Sequence, residues 1–122
     1  MARIRDLMGT GNSAESAKAI AGTAGAITAA GTTQGAATLL SYETNFVTTA
    51  GGADSVVLPT AAQGSQAGDS CYVFNNTSTT CQVFPGGSDV ANNSTSAISL
   101  AQSKTLICKR FNNTEWGYIV TA

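Results

Sequence analysis

The chain has 122 residues, of which 43% are hydrophobic and 11% charged, and its formal net charge is -1. This length suits one domain, and a hydrophobic fraction near the globular average argues against a disordered chain. The near-zero charge removes the basic surface typical of nucleic-acid and anionic-membrane binding, so neither partner is expected. No apolar run approaches the roughly 20 residues that cross a bilayer, and the N-terminus lacks the apolar core of a signal peptide, so use without secretion is expected.

The first third of the chain has no aromatic residue and contains a long run of small side chains. No charged residue lies between Lys18 and Glu43, and residues 19–38 are nearly all Ala, Gly and Thr. Such side chains bury too little apolar area to offset the entropy of an ordered backbone. Residues 1–41 are therefore predicted to form an extended arm that becomes ordered against a neighbouring subunit.

The arm carries the signals of at most one short helix. Asn12 is a favourable N-cap, Glu15 stands three residues later as in a capping box, and Gly22 suits the C-terminal end. A helix of about ten residues is marginal in isolation, which again indicates a packing partner. The residues expected to make the arm's contacts are Arg3, Ile4, Arg5, Leu7, Met8, Ile20 and Ile27.

From residue 42 onward the apolar pattern has the period of two that is typical of strands. Turns rich in Gly and Asn separate the runs, and residues 75–80 are predicted to close a hairpin. Short strands at intervals of about 8–12 residues predict an all-β fold, a small antiparallel β-sandwich or barrel over residues 42–122. The predicted strands cover residues 46–49, 55–58, 71–74, 81–84, 97–100, 105–111 and 115–120.

Three cysteines, Cys71, Cys81 and Cys108, each fall inside one of these strand patterns. Their wide spacing and odd number favour buried free thiols, although a disulfide stays open as an alternative. The residues predicted on the face opposite the cysteines are Tyr72, Phe74 and Phe84. These aromatic side chains are expected to contact another subunit, with stacking on sugar rings as the alternative.

The chain lacks the side chains that most enzymes use. It has no histidine, which removes the commonest general base and metal ligand. Asp54, Asp69 and Asp89 fall in predicted turns, where aspartate commonly accepts bonds from backbone N–H groups. A paired-carboxylate site formed by Asp69 and Asp89 is the enzymatic alternative, and no calcium-loop motif is present. A non-enzymatic protein without metal or cofactor is therefore predicted.

Short strand and turn motifs punctuate the chain from residue 33 onward. They are Thr-Gln-Gly-Ala-Ala-Thr at 33–38, Val-Val-Leu-Pro at 56–59, Ala-Gly-Asp-Ser at 67–70, Val-Phe-Pro-Gly at 83–86 and Trp-Gly-Tyr at 116–118. With these motifs, residues 35–122 resemble a small β-domain that recurs in the virion proteins of tailed bacteriophages. The resemblance implies a structural role, either as a capsid cement (decoration) protein or as a fibre component.

A short chain with one β-domain and an arm looks more like the cement protein, since fibres are usually longer and repetitive. The resemblance then implies a homotrimer on the capsid surface, assembled in the host cytoplasm, whose arm crosses subunits of the major capsid protein. Deletion of residues 2–30 is expected to abolish capsid binding and to leave the β-domain folded. The alternative is a fibre or tail-tip module that binds a receptor or carbohydrate through Tyr72, Phe74 or Trp116.

Overall fold

The computed structural model describes residues 21–51 and 54–121, which form strands and short turns. The helix predicted from Asn12 and every predicted arm contact except Ile27 lie outside the described residues. Short 3-10 helices cover Gln34–Ala36 and Ala61–Gln63. The strands are β1 (Thr23–Thr28), β2 (Thr38–Leu39), β3 (Thr44–Thr49), β4 (Ser55–Val57), β5 (Ser70–Asn75), β6 (Cys81–Phe84), β7 (Val90–Ala91), β8 (Ile98–Leu100), β9 (Thr105–Arg110) and β10 (Glu115–Val120).

The strands form two sheets, which confirms the all-β fold class. One sheet has six strands in the order β1-β3-β5-β9-β10-β7, and the other has four in the order β2-β4-β6-β8. Strands such as β5 alternate buried and half-buried side chains, so each sheet turns one face toward the core and one outward. The period of two seen in the sequence is the direct cause of this division.

The first six strands alternate between the two sheets and form a solenoid-like coil. Strands β1, β3 and β5 lie side by side and parallel in the larger sheet, and β2, β4 and β6 do the same in the smaller one. Thr44 of β3, for example, is the register partner of Thr23 on one side and of Tyr72 on the other. Two parallel neighbours need a crossover connection, and here each crossover contains one strand of the opposite sheet, as β2 does between β1 and β3.

Among the described strands, antiparallel strand pairs involve only β5, β6, β8, β9 and β10, so the prediction of a wholly antiparallel sandwich or barrel is wrong in this respect. Strands β8 and β9 run antiparallel to β6 and β5, and β9 and β10 form a hairpin. Residues 75–80 carry the chain from one sheet to the other instead of closing the predicted hairpin. A period of two marks which face is buried, but it does not set the direction of the neighbouring strand.

The described part of the predicted arm, residues 21–41, belongs to the β-fold and does not extend away from it. Strand β1 pairs with β3, and β2 pairs with β4. Ala29 and Leu40 are buried in the core, while the small side chains of β1 stay largely exposed. Because backbone pairing holds β1 in place, this segment needs little apolar burial of its own, and the β-fold begins at β1 instead of at residue 42.

The core lies between the two sheets and takes residues from both. The three cysteines are buried in it as free thiols, as predicted. Fully buried aliphatic side chains of the larger sheet include Val47, Val73 and Leu106, and those of the smaller sheet include Val56, Val83 and Leu100.

Candidate contact surface on the six-stranded sheet

The outer face of the larger sheet presents aromatic and aliphatic side chains in cross-strand rows. Tyr72 and Phe74 of β5 point outward, since their neighbours Cys71 and Val73 are buried. In the register of the sheet, Tyr72 is opposite Ile107 of β9, which is opposite Ile119 of β10. Outward residues from three strands therefore form one continuous row, because side chains on the same face of paired strands are neighbours.

Two other predicted contact residues, Phe84 and Ile27, do not lie on the same face as Tyr72 and Phe74. Phe84 belongs to β6 and is half-buried on the smaller sheet. Ile27 lies on edge strand β1 and packs against the core. The structure therefore brings Tyr72 and Phe74 to one face and places Phe84 and Ile27 elsewhere.

The most exposed apolar group on this face consists of Ile107, Phe111 and Ile119, here called the β10 patch. Phe111 is 61% exposed and Ile119 is 64% exposed. The ring of Phe111 lies over Gly117, where an added Cβ would collide with it, so the absence of a side chain at Gly117 makes room for the ring. Three residues from two strands and the turn between them thus form a single apolar surface.

Sequence reasoning missed Phe111 and Ile119 as surface residues. Phe111 was assigned to the end of a strand, but β9 ends at Arg110 and Phe111 opens the turn. On β10, alternate side chains point outward, and Ile119 is one of them. The available signal was the alternation itself, because Trp116 and Tyr118 take the inward positions and leave Gly117 and Ile119 to face out.

Polar groups frame the β10 patch. The side-chain amide of Asn92 donates to the Tyr118 carbonyl at 3.1 Å and accepts from the Tyr118 N–H at 2.9 Å, so it binds the edge of β10 as a strand would. The Lys109 ammonium donates to Ser70 Oγ at 3.2 Å. Burial raises the pKa of the Glu43 carboxyl. The positive charge of Lys109 opposes this rise, and the negative charge of Asp69 adds to it. The patch therefore lies beside a small number of charges, with its centre apolar.

Trp116 is not available as a stacking platform. It is 1% exposed, and the Arg110 guanidinium lies over its ring at 4.6 Å from the centroid. The suggestion that Trp116 stacks on a sugar is therefore wrong, because its position on β10 is an inward one opposite Arg110.

The turn carboxylates have structural partners. Asp54 Oδ2 accepts from the Gly51 N–H at 2.9 Å, and Asp69 Oδ2 accepts from the Gln66 N–H at 2.8 Å. These two confirm the predicted role of aspartate in turns. Asp89 differs, because its carboxylate forms a buried ion pair with Arg110 at 2.9 Å. Asp89, one of the two carboxylates in the alternative paired-carboxylate site, is therefore already engaged by Arg110.

No protein-family model, curated protein or solved structure matches this chain. Within the described ranges, no group of three or more His, Cys, Asp or Glu side chains is placed to hold a metal ion. Nor does any helix in these ranges have the length and hydropathy needed to cross a bilayer.

Proposed function

We propose that this protein is a non-enzymatic structural component of a tailed-phage virion, a capsid cement protein. It acts as a homotrimer on the capsid surface and binds across subunits of the major capsid protein. The observation that carries the proposal is the β10 patch, where Phe111 and Ile119 are more than half exposed on a folded sheet. The resemblance of residues 35–122 to a β-domain of tailed-phage virion proteins supports the choice of partner.

Exposed apolar area on one face is a feature of contact surfaces. Soluble monomers rarely expose large contiguous apolar patches, and burial of one Phe or Ile side chain contributes about 1.5–3 kcal/mol. The low charged fraction of 11% further suits a contact that removes little charge from water. We infer that the β10 patch packs against the major capsid protein.

Copy number in purified virions tests the role directly. Hundreds of copies per particle are expected for a cement protein, because it occupies repeated positions on the head. A few to a few dozen copies would instead indicate a fibre or tail protein and would contradict the proposal. Quantitative gel analysis of purified particles makes this measurement.

Binding of the purified protein to heads assembled without it tests the contact surface. The double variant F111S/I119T removes two exposed apolar side chains, and its affinity for the heads is expected to fall by about 100-fold. Leu39→Ser is the matched control, because Leu39 is also exposed, at 42%, but belongs to the smaller sheet. Equal losses in the control and the double variant, or no loss in the latter, would contradict a contact through the β10 patch.

The same assay tests the arm, provided that the deletion ends before β1. Deletion of residues 2–30 would remove β1 and the buried Ala29, so a loss of binding would not separate an arm contact from damage to the sheet. Deletion of residues 2–20 leaves all of the described strands in place. We propose that this shorter deletion weakens binding to heads while the free energy of unfolding changes little.

A further inference from the structure

A second feature of the outer face is a cleft that shares no lining residue with the β10 patch. Its volume is about 330 Å³, within the range of small-molecule sites. It lies where β3, β5 and the start of β9 come together. We call it the Phe cleft, and its lining consists of Phe46, Phe74, Asn76, Ser103, Lys104 and Thr105, with Asn75 beneath.

Two stacked aromatic rings form the apolar part of the Phe cleft. Phe46 of β3 and Phe74 of β5 are register partners, and their ring centroids lie 4.8 Å apart with an interplanar angle of 14°. Each ring holds the other in position, so both present a fixed surface. An apolar ring surface of this kind packs well against the C–H groups of a sugar ring.

The base of the Phe cleft is rigid because Asn75 is buried and fully bonded. Its amide nitrogen donates to the carbonyls of Thr79 and Leu100 at 2.8 and 2.9 Å, and its Oδ1 accepts from the hydroxyl of Thr77 at 2.7 Å. The Asn75 carbonyl accepts from the N–H of Ser103 at 2.9 Å. The turn that carries Lys104 is therefore fixed to the end of β5.

Ser103 has a backbone conformation that is uncommon for a residue with a side chain. Its φ is 63°, in the left-handed region, where strain persists only when the surroundings fix it. The bond to Asn75 supplies that constraint, and the result is that Ser103 and Lys104 both line the cleft. Strained residues of this kind cluster at binding sites more than elsewhere in folds.

The Phe cleft carries a positive charge that no described residue neutralises. Of the described residues that line it, Lys104 alone is charged. Its ammonium makes no ion pair or side-chain hydrogen bond with any described residue. A carboxylate bound here would gain a charge-assisted hydrogen bond without displacing a partner from the described part of the chain.

We propose that the Phe cleft binds an acidic saccharide. The sugar ring packs against Phe46 and Phe74, its carboxylate binds the Lys104 ammonium, and the side chains of Asn76 and Ser103 bind its hydroxyl groups. The single lysine and the net charge of -1 favour a saccharide over a nucleic acid, which needs an extended basic surface. This binding activity goes beyond the proposed capsid contact and uses different residues.

Titration calorimetry and NMR chemical-shift mapping of the intact protein test the inference without capsids. The probes are tetragalacturonate and 3'-sialyllactose, each compared with a neutral counterpart, the methyl-esterified tetramer and lactose. We expect one or both acidic glycans to bind, with shifts confined to the Phe cleft. Lys104→Gln is expected to weaken that binding at least about tenfold and to leave the neutral counterpart unaffected.

Two further variants make the result specific to the cleft. Phe74→Leu keeps the apolar volume but removes the ring, so it is expected to weaken binding while the protein stays folded. Lys109→Gln is the matched control, because Lys109 is an exposed lysine on the same face outside the cleft. The inference is overturned if neither acidic glycan binds, if Lys104→Gln and Lys109→Gln behave alike, or if only single-stranded DNA binds.

Discussion

At the scale of single residues, Arg110 joins parts of the chain that are far apart in sequence. Its guanidinium donates to the Pro59 carbonyl at 2.6 Å, to Asp89 Oδ2 at 2.9 Å and to Ser65 Oγ at 2.8 Å. Both members of the ion pair with Asp89 are buried. Loss of one partner therefore leaves an uncompensated charge inside the protein.

Arg110→Met is expected to lower the free energy of unfolding by about 3–5 kcal/mol, because Asp89 would remain buried without its partner. Urea denaturation followed by Trp116 fluorescence measures the change. Lys109→Met serves as the control, since Lys109 is exposed and an effect within about 0.5 kcal/mol is expected. A loss below about 1 kcal/mol in Arg110→Met would show that the ion pair does not hold these segments together.

The buried thiols couple stability to alkaline pH. Burial raises the pKa of Cys71 to about 12 and that of Cys81 to about 11. An unfolded thiol titrates near pH 8.5, so as pH rises past that value the unfolded chain loses protons that the folded protein keeps. Stability from these thiols is thus complete below about pH 8.5 and is lost as pH rises toward the folded pKa values.

Cys71→Ala is expected to reduce the fall in unfolding free energy between pH 7 and pH 10 by about 2 kcal/mol, the amount that one such thiol contributes. Denaturation midpoints of the wild type and the variant at both pH values provide the measurement. Cys71→Ala also costs some packing at every pH, and the difference between the two pH values removes that contribution. Equal falls in both proteins would contradict the linkage.

At the scale of elements, the sequence predicted strands well where large side chains alternate. β5, β6, β9 and β10 all lie within or next to their predicted ranges, because alternation of residues such as Cys71, Tyr72 and Val73 is typical of a half-buried strand. β1 was missed, because Gly25 and Ala26 carry no hydrophobic period. β7 was also missed, since two residues are too few to show a pattern.

The candidate site was predicted in part for the same reason. Tyr72 and Phe74 were placed outward by alternation within one strand, which is local information. Their neighbours were not predictable, because Phe46 and Thr105 meet Phe74 only through pairing between strands that lie far apart in the chain. Lys104 joins the Phe cleft through the turn that Asn75 holds, which depends on tertiary contacts alone.

At the scale of the whole molecule, the order and direction of strands were beyond reach of the sequence. Residues 75–80 have the composition of a hairpin turn, but the core places β5 and β6 in opposite sheets. A hairpin and a crossover between the sheets would bury the same side chains of β5 and β6, namely Cys71, Val73, Cys81 and Val83. The pattern of burial therefore fits both connections. The choice between the coil and a hairpin depends on the free energies of the two complete folds, including how well each satisfies its backbone hydrogen bonds.

The coil also constrains the order in which the strands pair during folding. Among the described strands, only β9 and β10 pair with a strand adjacent in sequence, through the turn at residues 111–114. Every parallel pair of the coil must first close a loop that passes through the opposite sheet, and such contacts form late because loop closure is entropically costly. We therefore expect folding in milliseconds to seconds that starts from the β9–β10 hairpin. Pulsed hydrogen exchange should show amides of β9 and β10 protected before those of β1, and early protection of β1 would reverse this order.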